Sequence, residues 1–357
     1  MRALWAARQA VPGPAWLPRA RRRMSSAAVQ TLFEGIQRGD RASLARGITL
    51  VESTRADHRQ QARELVAACV RVERPRALRV GLTGTPGVGK STFIEALGMM
   101  LLRKGHRVAV LAVDPSSARS GGSILGDKTR MQELSVADGA YVRPSPSRGT
   151  LGGVTRSTLD SIILVEASGY DVCLVETVGV GQSETIVADM VDMFVLLMQP
   201  GSGDELQGVK RGIMELADLV VVNKADGAME LAAKLTRTEI VNALHLMLPR
   251  RQSWSPKVLR ASATTGHNLD RVWATVERFF DGLRSSGEWD ALRAEQQRKW
   301  MWREVSHLLV AALERDPDAR ALAKALEADV LRGTAAPGVA AEQIVDRFLS
   351  SRHGHRK

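Results

Sequence analysis

The sequence predicts an α/β fold in which a doubly wound, mainly parallel sheet carries helical extensions at both ends. Three observations lead to this fold class. Short apolar segments alternate with helical periodicity between residues 78 and about 283. Several of these segments are continuously apolar, as parallel strands covered on both faces are. A glycine-rich loop ending in Lys-Ser, residues 84–91, joins the first apolar segment to the helical pattern that follows it.

The chain begins with a segment unlike the rest. Residues 1–33 contain six arginines and no lysine or acidic residue, and without them the net charge falls from +11 to +5. The high pI is therefore poor evidence for nucleic-acid binding. An arginine-rich, acid-free start predicts a mitochondrial transit peptide over residues 1–25, which would direct the protein to the matrix. The alternatives are a disordered tail, or a start at Met24, which in a bacterium would give a cytoplasmic protein.

Periodicity divides the remainder into segments. Residues 26–76 read as two or three helices, and Pro75 marks the boundary of a nucleotide-binding domain over residues 77–284. The strands predicted within that domain are 78–83, 108–113, 172–176, 193–198, 219–222 and 258–259. Residues 285–350 read as helical again, and the basic tail 351–357 is predicted to be disordered. An apolar stripe containing Trp300 and Trp302 fits either a helix packed on the core or a dimerisation arm.

Composition argues against several classes of protein. No apolar run reaches the roughly 18 residues that a membrane-spanning helix needs, so no membrane partner is predicted. The two cysteines, Cys69 and Cys173, are far apart in sequence, which makes neither a disulfide framework nor a four-cysteine zinc site. No nucleic-acid-binding signature accompanies the positive charge. A protein of a reducing compartment, without a nucleic-acid partner, is expected.

The loop 84–91 matches the phosphate-binding pattern G-x-x-x-x-G-K-[ST]. Its glycines allow consecutive backbone N–H groups to turn towards phosphate oxygens, and the following helix adds its dipole. Lys90 is expected to reach the β- and γ-phosphates, and the Ser91 hydroxyl to ligate Mg²⁺. The alternative is an ordinary glycine-rich turn. The predicted phosphate-site residues are Gly84, Thr85, Pro86, Gly87, Val88, Gly89, Lys90, Ser91 and Thr92.

A second motif indicates which base is bound. Asn223, Lys224 and Asp226 form an N-K-x-D pattern directly after the predicted strand 219–222. The Asp226 carboxylate can accept hydrogen bonds from the N1–H and the exocyclic amine of guanine, a pair of donors that adenine lacks. The segment Ser262-Ala263-Thr264 follows the last strand, where backbone N–H groups support the guanine O6 in GTPases. GTP and GDP are therefore the predicted ligands.

Two acidic residues at strand ends are candidates for the metal side of the site. Glu176 follows a buried strand and precedes Gly179 by three residues, so it is predicted to hold Mg²⁺ while the Gly179 N–H contacts the γ-phosphate. The alternative for Glu176 is a capping acid for the helix near Ser183. Asp114 ends the second strand and can reach the Mg²⁺ shell or orient the attacking water.

A glycine-rich charged segment, residues 121–130, is typical of a nucleotide-sensing switch. It ends in Asp127, Lys128 and Arg130, and such a loop can order around a γ-phosphate and relax after hydrolysis. The alternative is a solvated charged loop. Arg148, in the Gly/Pro/Ser-rich loop 144–153, is a candidate for stabilising charge.

These motifs together resemble the MeaB/ArgK family, P-loop GTPases of the SIMIBI class. The resemblance covers roughly residues 40–350 and is carried by four further runs: Ala-Val-Asp-Pro-Ser-Ser at 112–117, Leu-Gly-Asp-Lys-Thr-Arg-Met at 125–131, Arg-Pro-Ser-Pro at 143–146 and Asp-Glu-Leu-Gln-Gly at 204–208. It implies that phosphate, Mg²⁺ and catalysis are served by Lys90, Ser91, Asp114, Asp127 and Glu176.

The resemblance also implies a homodimer that acts as chaperone for an adenosylcobalamin-dependent acyl-CoA mutase, usually methylmalonyl-CoA mutase. Such GTPases gate cofactor loading and protect or reactivate the mutase, and a cobalamin adenosyltransferase is a further implied partner. No metal or cobalamin ligand motif is evident in this chain itself. Two alternatives remain: a nickel or zinc metallochaperone of the same fold branch, and a kinase linked to basic amino-acid transport.

Overall fold

The structure is a computed structural model and describes residues 26–113, 131–144, 151–177, 183–201 and 211–354. The chain consists of two compact units, one ending at Arg293 and the other beginning at Ala294. The first unit contains the sheet, and the second is helical. The boundary falls nine residues after residue 284, where the sequence places the end of the nucleotide-binding domain.

One seven-stranded sheet lies in the described part of the first unit, and each pair of neighbouring strands is parallel. The strand order is β3-β2-β4-β1-β5-β6-β7. The chain adds strands on one side of β1 and then on the other, so the fold is doubly wound, as predicted. The strands are β1 (Leu78–Gly84), β2 (Val108–Val113), β3 (Ala140–Arg143), β4 (Val172–Thr177), β5 (Met193–Met198), β6 (Leu219–Val222) and β7 (Lys257–Arg260).

Helices precede, connect and follow the strands. Three precede the sheet: α1 (Ala27–Gln37), α2 (Arg41–Glu52) and α3 (Ala56–Cys69). Those among and after the strands are α4 (Lys90–Arg103), α5 (Gln132–Val136), α6 (Leu151–Ala167), α7 (Ser183–Met190), α8 (Arg211–Leu216), α9 (Glu230–His245) and α10 (Leu269–Ser286). The last three are α11 (Glu288–Arg315), which crosses the unit boundary, α12 (Pro317–Leu331) and α13 (Pro337–Gly354).

Apolar side chains cover both faces of the sheet. Alternate strand residues pack on one face against α4 and α10, whose buried positions recur every three or four residues; on α10 they include Val272, Trp273, Val276 and Phe280. The opposite face of β5 and β6 packs against α8 and α9 through side chains such as Met214 and Ile240. Burial on both sides explains why β2, β5 and β6 are continuous apolar runs and why β4 is apolar up to Val175.

The N-terminal helices pack on the sheet unit. Gly47 of α2 lies so close to α6 that an added Cβ would be 2.9 Å from the Leu164 Cδ2 atom. The Glu52 carboxylate of α2 pairs with Arg143 at the end of β3. At the start of α2, the Asp40 carboxylate accepts hydrogen bonds from two backbone N–H groups and caps the helix.

Three features differ from the sequence-based expectations. The strand β3 was not predicted, because its apolar run is only three residues long and lies between Gly139 and Pro144. Helix α13 continues to Gly354, so residues 351–354, expected in a disordered tail, are helical. The sheet unit extends into α11 because Trp289 packs on Phe280 and Arg293 pairs with a carboxylate before β5.

No helix among the described residues combines the length and the apolar character that crossing a bilayer requires.

Candidate functional site

The loops that carry the motifs follow β1, β4, β6 and β7, and therefore meet at the carboxyl edge of the sheet. Parallel pairing sets this arrangement: Leu82 of β1 is in register with Glu176 of β4 on one side and with Val195 of β5 on the other. In a doubly wound sheet the crevice beside the switch in strand order is where ligands bind. The strand β1 lies at that switch.

The glycines of the loop between β1 and α4 are required by its close packing. Gly89, the residue before α4, has a φ of 88°, a left-handed conformation that costs a non-glycine residue free energy. A Cβ atom on Gly89 would be 3.0 Å from the Asn223 Nδ2 atom, and one on Gly84 would be 2.5 Å from the Leu197 carbonyl oxygen. The loop is therefore a tight backbone turn that opens at the amino end of α4.

Lys90 and Ser91 are the first two residues of α4, and their side chains contact different elements. The Lys90 ammonium donates to the Gly84 carbonyl oxygen at 2.8 Å and to the Thr85 carbonyl oxygen at 3.3 Å. The Ser91 hydroxyl donates to the Glu176 Oε1 atom at 3.2 Å, and both side chains are buried. The residues predicted to bind phosphate and Mg²⁺ thus lie together at the start of one helix.

A pair of threonines lies behind the carboxylate at the end of β4. The Thr177 hydroxyl donates to the Thr83 hydroxyl oxygen at 2.8 Å, and both residues are buried. This contact fixes the carboxyl ends of β1 and β4 against each other, which sets the position of Glu176 relative to the loop. The bond of Glu176 to Ser91 brings the carboxylate to the start of α4, on the side predicted to hold Mg²⁺.

Asn223 connects the phosphate-binding loop to the loop after β7. Its Nδ2 atom donates to the Val88 carbonyl oxygen at 2.9 Å, and its Oδ1 atom accepts from the Ala263 N–H at 3.1 Å. The side chain is only 1% exposed. Val88 lies 135 residues before Asn223 in sequence and Ala263 lies 40 residues after it, so one amide group joins distant segments and the three loops form a single structure.

Lys224 forms a second connection between the loop after β6 and the phosphate-binding loop. Its φ of 56° is in the left-handed region, unusual for a residue with a side chain, and its ammonium group donates to the Gly87 carbonyl oxygen at 2.7 Å. The same ammonium group contacts the Gln199 Oε1 atom at 3.4 Å. The aliphatic part of the Lys224 side chain therefore extends from the loop after β6 to the phosphate-binding loop.

Asp226 lies at the mouth of this crevice, half-buried. Its carboxylate forms no hydrogen bond to another described residue, while the backbone of its loop is fixed by a bond from the Ala225 N–H to the Ala261 carbonyl oxygen at 3.0 Å. Ser262 and Ala263 are buried beside it, and Thr264 is exposed. The two segments predicted to surround guanine are therefore adjacent.

Several predicted site residues lie outside the described residues. They are Asp114, Asp127, Lys128, Arg130, Arg148 and Gly179. The predicted transit peptide 1–25 lies outside them as well.

The described residues fit a nucleoside triphosphate and a hard divalent cation. Gly84 and Gly89 of the phosphate-binding loop leave little room for a Cβ atom, and Gly84, Gly87 and Gly89 all have positive φ, so the backbone N–H groups of the loop can turn towards an anion. The Thr85 hydroxyl is buried without a partner in the described structure. Ser91 and Glu176 offer the oxygen ligands that Mg²⁺ prefers. No group of three or more His, Cys, Asp or Glu side chains that could hold a metal alone occurs in the described part.

Sequence reasoning overlooked three side chains of the site: Thr83, Thr177 and Gln199. Each lies at or directly after the carboxyl end of a strand, and that position is the signal that could have identified them. Asn223 was predicted, but as part of a base-recognition pattern, whereas its observed contacts are to two protein loops.

A family model described as "Methylmalonyl Co-A mutase-associated GTPase MeaB" matches residues 44–318. The match includes each described segment of the crevice, from the phosphate-binding loop to the loop after β7.

Individual proteins are similar over most of the chain. A Mycobacterium tuberculosis protein named "Probable GTPase" is 54% identical over 318 residues, which are 89% of this chain and 94% of that protein. The "Methylmalonic aciduria type A homolog, mitochondrial" of Mus musculus is 49% identical over 334 residues, 91% of this chain and 80% of that protein. A crystal structure titled "LAO/AO transport system kinase" has a TM-score of 0.72 and 35% identity, covering 90% of this chain and 98% of its own.

Proposed function

The chain belongs to the MeaB family of GTPases, and on that premise we propose that it hydrolyses GTP as chaperone to an adenosylcobalamin-dependent acyl-CoA mutase, methylmalonyl-CoA mutase. GTP hydrolysis is the activity of the family. The mutase is named in the family description, and its extension to this chain is the proposal. The observation that carries it is the crevice in which Asn223 joins the phosphate-binding loop to the guanine-side loop.

The described residues account for binding and orienting GTP. Backbone N–H groups from Gly87 to Lys90 surround the phosphates, and the Lys90 ammonium neutralises the β- and γ-phosphate oxygens. Asp226 accepts from guanine, while Ala263 supports the base from the other side. Because Lys224 and Asn223 fix these loops to one another, the base and the phosphates are held at a constant separation.

Hydrolysis transfers the γ-phosphoryl group to water. A water oxygen bonds to the γ-phosphorus, the bond to the β–γ bridging oxygen breaks, the leaving GDP keeps that electron pair, and a proton of the water passes to a phosphate oxygen. Mg²⁺, when bound, spreads the charge that develops on the bridging and γ-oxygens. Ser91 and Glu176 would hold it, and Asp114 and Asp127 complete the proposed set of acids. Gly179 is the proposed donor to the γ-phosphate.

Coupling to the mutase is proposed to run through residues 121–130. Lys128 and Arg130 would contact the mutase or the nucleotide in one state of the segment, so that GTP binding and mutase binding change each other's affinity reciprocally. In this way the GTPase gates loading of the cobalamin cofactor, delivered by a cobalamin adenosyltransferase, and protects or reactivates the mutase. The mouse relative is named as mitochondrial, which supports a mitochondrial matrix location and a transit peptide over residues 1–25.

A homodimer is part of the proposal. Helix α11 exposes large apolar side chains in its second half, and Trp302 is 57% exposed. A cluster of exposed apolar side chains on one helix is typical of a subunit contact. The exposed members are Met301, Trp302, Leu308, Leu309 and Val310.

GTP turnover with and without purified methylmalonyl-CoA mutase tests the proposal. The chain alone should hydrolyse GTP slowly, since no arginine finger lies within its motifs, and a supplied catalytic group is worth about 10³ to 10⁵ in rate. The mutase should increase the rate for the wild type and not for the Lys128→Ala, Arg130→Ala double variant, whose GDP affinity should be unchanged. A mutase that leaves wild-type turnover and nucleotide affinity unchanged contradicts the partner. Stimulation of the double variant as strong as that of the wild type contradicts the switch.

A further inference from the structure

A second polar cavity lies at the open edge of the sheet, beyond β7 and between α9 and α10. Its volume is about 260 Å³. Three arginines, one lysine, one asparagine and one leucine line it: Lys234, Arg237, Leu259, Arg260, Asn268 and Arg271. None of the predicted guanine- or phosphate-binding residues lines it, so it is distinct from the crevice that holds the nucleotide.

The lining carries four positive charges and no acidic side chain. None of these four cations forms an ion pair with a carboxylate of the described residues. Asp270, the residue before Arg271, does not pair with these cations, because its carboxylate pairs with Lys104 at 2.8 Å. Four like charges around one concavity repel each other, and a fold gains nothing from gathering them unless an anion neutralises them.

The backbone at the edge of β7 explains how the cavity is built. The Lys257 N–H donates to Asp218 just before β6 and the Ala261 N–H to Val222 of β6, so the backbone groups of the alternate residues Val258 and Arg260 face the open edge. The Arg237 Nε–H donates to the Val258 carbonyl oxygen at 3.1 Å, and the Asn268 amide donates to the Arg260 carbonyl oxygen at 3.0 Å. These two bonds satisfy the edge carbonyls and hold the Arg237 guanidinium and the first turn of α10 on opposite sides of the cavity.

Size and chemistry together limit the ligand. The cavity is smaller than the roughly 300–1,000 Å³ of pockets that take drug-sized molecules. Arginine guanidinium groups bind phosphate oxygens through two parallel N–H donors, and three of them converge here. A single carboxylate would leave most of this positive charge unpaired, whereas a diphosphate group would neutralise it.

We propose that the cavity formed by Lys234, Arg237, Arg260 and Arg271 is an anion site that binds a diphosphate group, separate from the GTP site. The group can be a free diphosphate or part of a phosphate ester. The two sources share the same recognition chemistry and differ only in what projects from the cavity.

Titration of inorganic pyrophosphate into the full-length protein tests the site. The GTP site is first saturated with GDP, without added Mg²⁺, so that pyrophosphate cannot occupy the phosphate-binding loop. The wild type should bind one pyrophosphate per chain by calorimetry. The Lys234→Gln, Arg271→Gln double variant should bind it at least about ten-fold more weakly. Both side chains are exposed and have no bond to another described residue, so the fold should be retained, as thermal unfolding verifies.

The matched control removes the same charge from another surface. Arg320→Gln with Lys324→Gln changes two exposed cations of α12 and should leave pyrophosphate affinity within two-fold of the wild type. No binding by the wild type, or equal weakening in the two double variants, overturns the proposal, because the attraction would then be absent or diffuse. Repeating the titration with ADP distinguishes the sources: binding of ADP as well as pyrophosphate assigns an ester, and binding of pyrophosphate alone assigns the free anion.

Discussion

Replacing Asn223 by alanine removes both hydrogen bonds that join the phosphate-binding loop to the loop after β7. The Val88 carbonyl oxygen then loses its donor at 2.9 Å, and the Ala263 N–H loses its acceptor at 3.1 Å. Water cannot easily take the place of the lost amide group, because Asn223 is 1% exposed and Val88 and Ala263 are buried. The separation between the base and phosphate subsites should therefore become variable.

The two contacts set the size of the effect. A buried donor or acceptor left without its partner costs about 1–3 kcal/mol, so leaving two unpaired costs about 2–6 kcal/mol. If the nucleotide must restore the lost arrangement when it binds, GDP affinity falls by the same free energy, which is roughly 30-fold to 2 × 10⁴-fold. The free energy of unfolding of the nucleotide-free protein should decrease by the same amount.

Fluorescence titration with a labelled GDP measures the affinity, and urea unfolding measures the stability. Asn242→Ala is the control, because this asparagine is exposed on α9 and makes no hydrogen bond to another described residue through its side chain. It should leave both quantities unchanged. If Asn223→Ala lowers stability while GDP affinity stays within two-fold of wild type, Asn223 only supports the fold and the reasoning on the shared crevice is refuted.

Three further predictions concern Lys90, Arg293 and the N-terminal segment. Lys90→Ala should lower GTP turnover by at least about 10²-fold with little change in the melting temperature, measured by phosphate release, because it removes the cation at the phosphates. Arg293→Met should destabilise the sheet unit by about 3–5 kcal/mol in urea unfolding, since it leaves Asp192, whose side chain is 0% exposed, without its ion-pair partner. Burial alone would raise the pKa of Glu166, but Arg79 and Arg293 hold that pKa below its ordinary value. The stability that this ion pairing contributes is present above about pH 4.5 and is lost as the pH falls through the lowered pKa. The loss of unfolding free energy caused by Arg293→Met should therefore become smaller in acid. A loss that stays constant with pH contradicts the ion pair. N-terminal sequencing of protein from mitochondria should give a start within roughly residues 20–30, and a start at Met1 contradicts the transit peptide.

The sheet could be predicted because its strands are buried on both faces. The strands β2, β5 and β6 have the boundaries that their apolar runs predict, since every residue in them is buried. The strand β3 could not be found in this way. It lies at the edge of the sheet, only Ala140 and Tyr141 are buried, and its short run resembles the end of a loop.

The site was predictable as a set of motifs and not as a set of contacts. The glycine pattern and the N-K-x-D pattern are local, because backbone conformation and base recognition depend on neighbouring residues. The bonds from Asn223 to Val88 and Ala263 join positions that are 135 and 40 residues apart in sequence, and their existence depends on strand order. The cationic cavity beside β7 could not be predicted from the sequence for the same reason, because its lysine and arginines come from α9, β7 and α10.

The central claim is that the two motif loops form one site specific for guanine nucleotides. Competitive titration of GDP, ADP and XDP into the wild type and Asp226→Asn tests it most directly. The wild type should prefer GDP to ADP by at least about 10³-fold, because a carboxylate left without the guanine donors rejects the wrong base strongly. Asp226→Asn should weaken GDP and strengthen XDP, since the amide can donate to the additional xanthine oxygen. Equal affinity of the wild type for ADP and GDP would contradict the account.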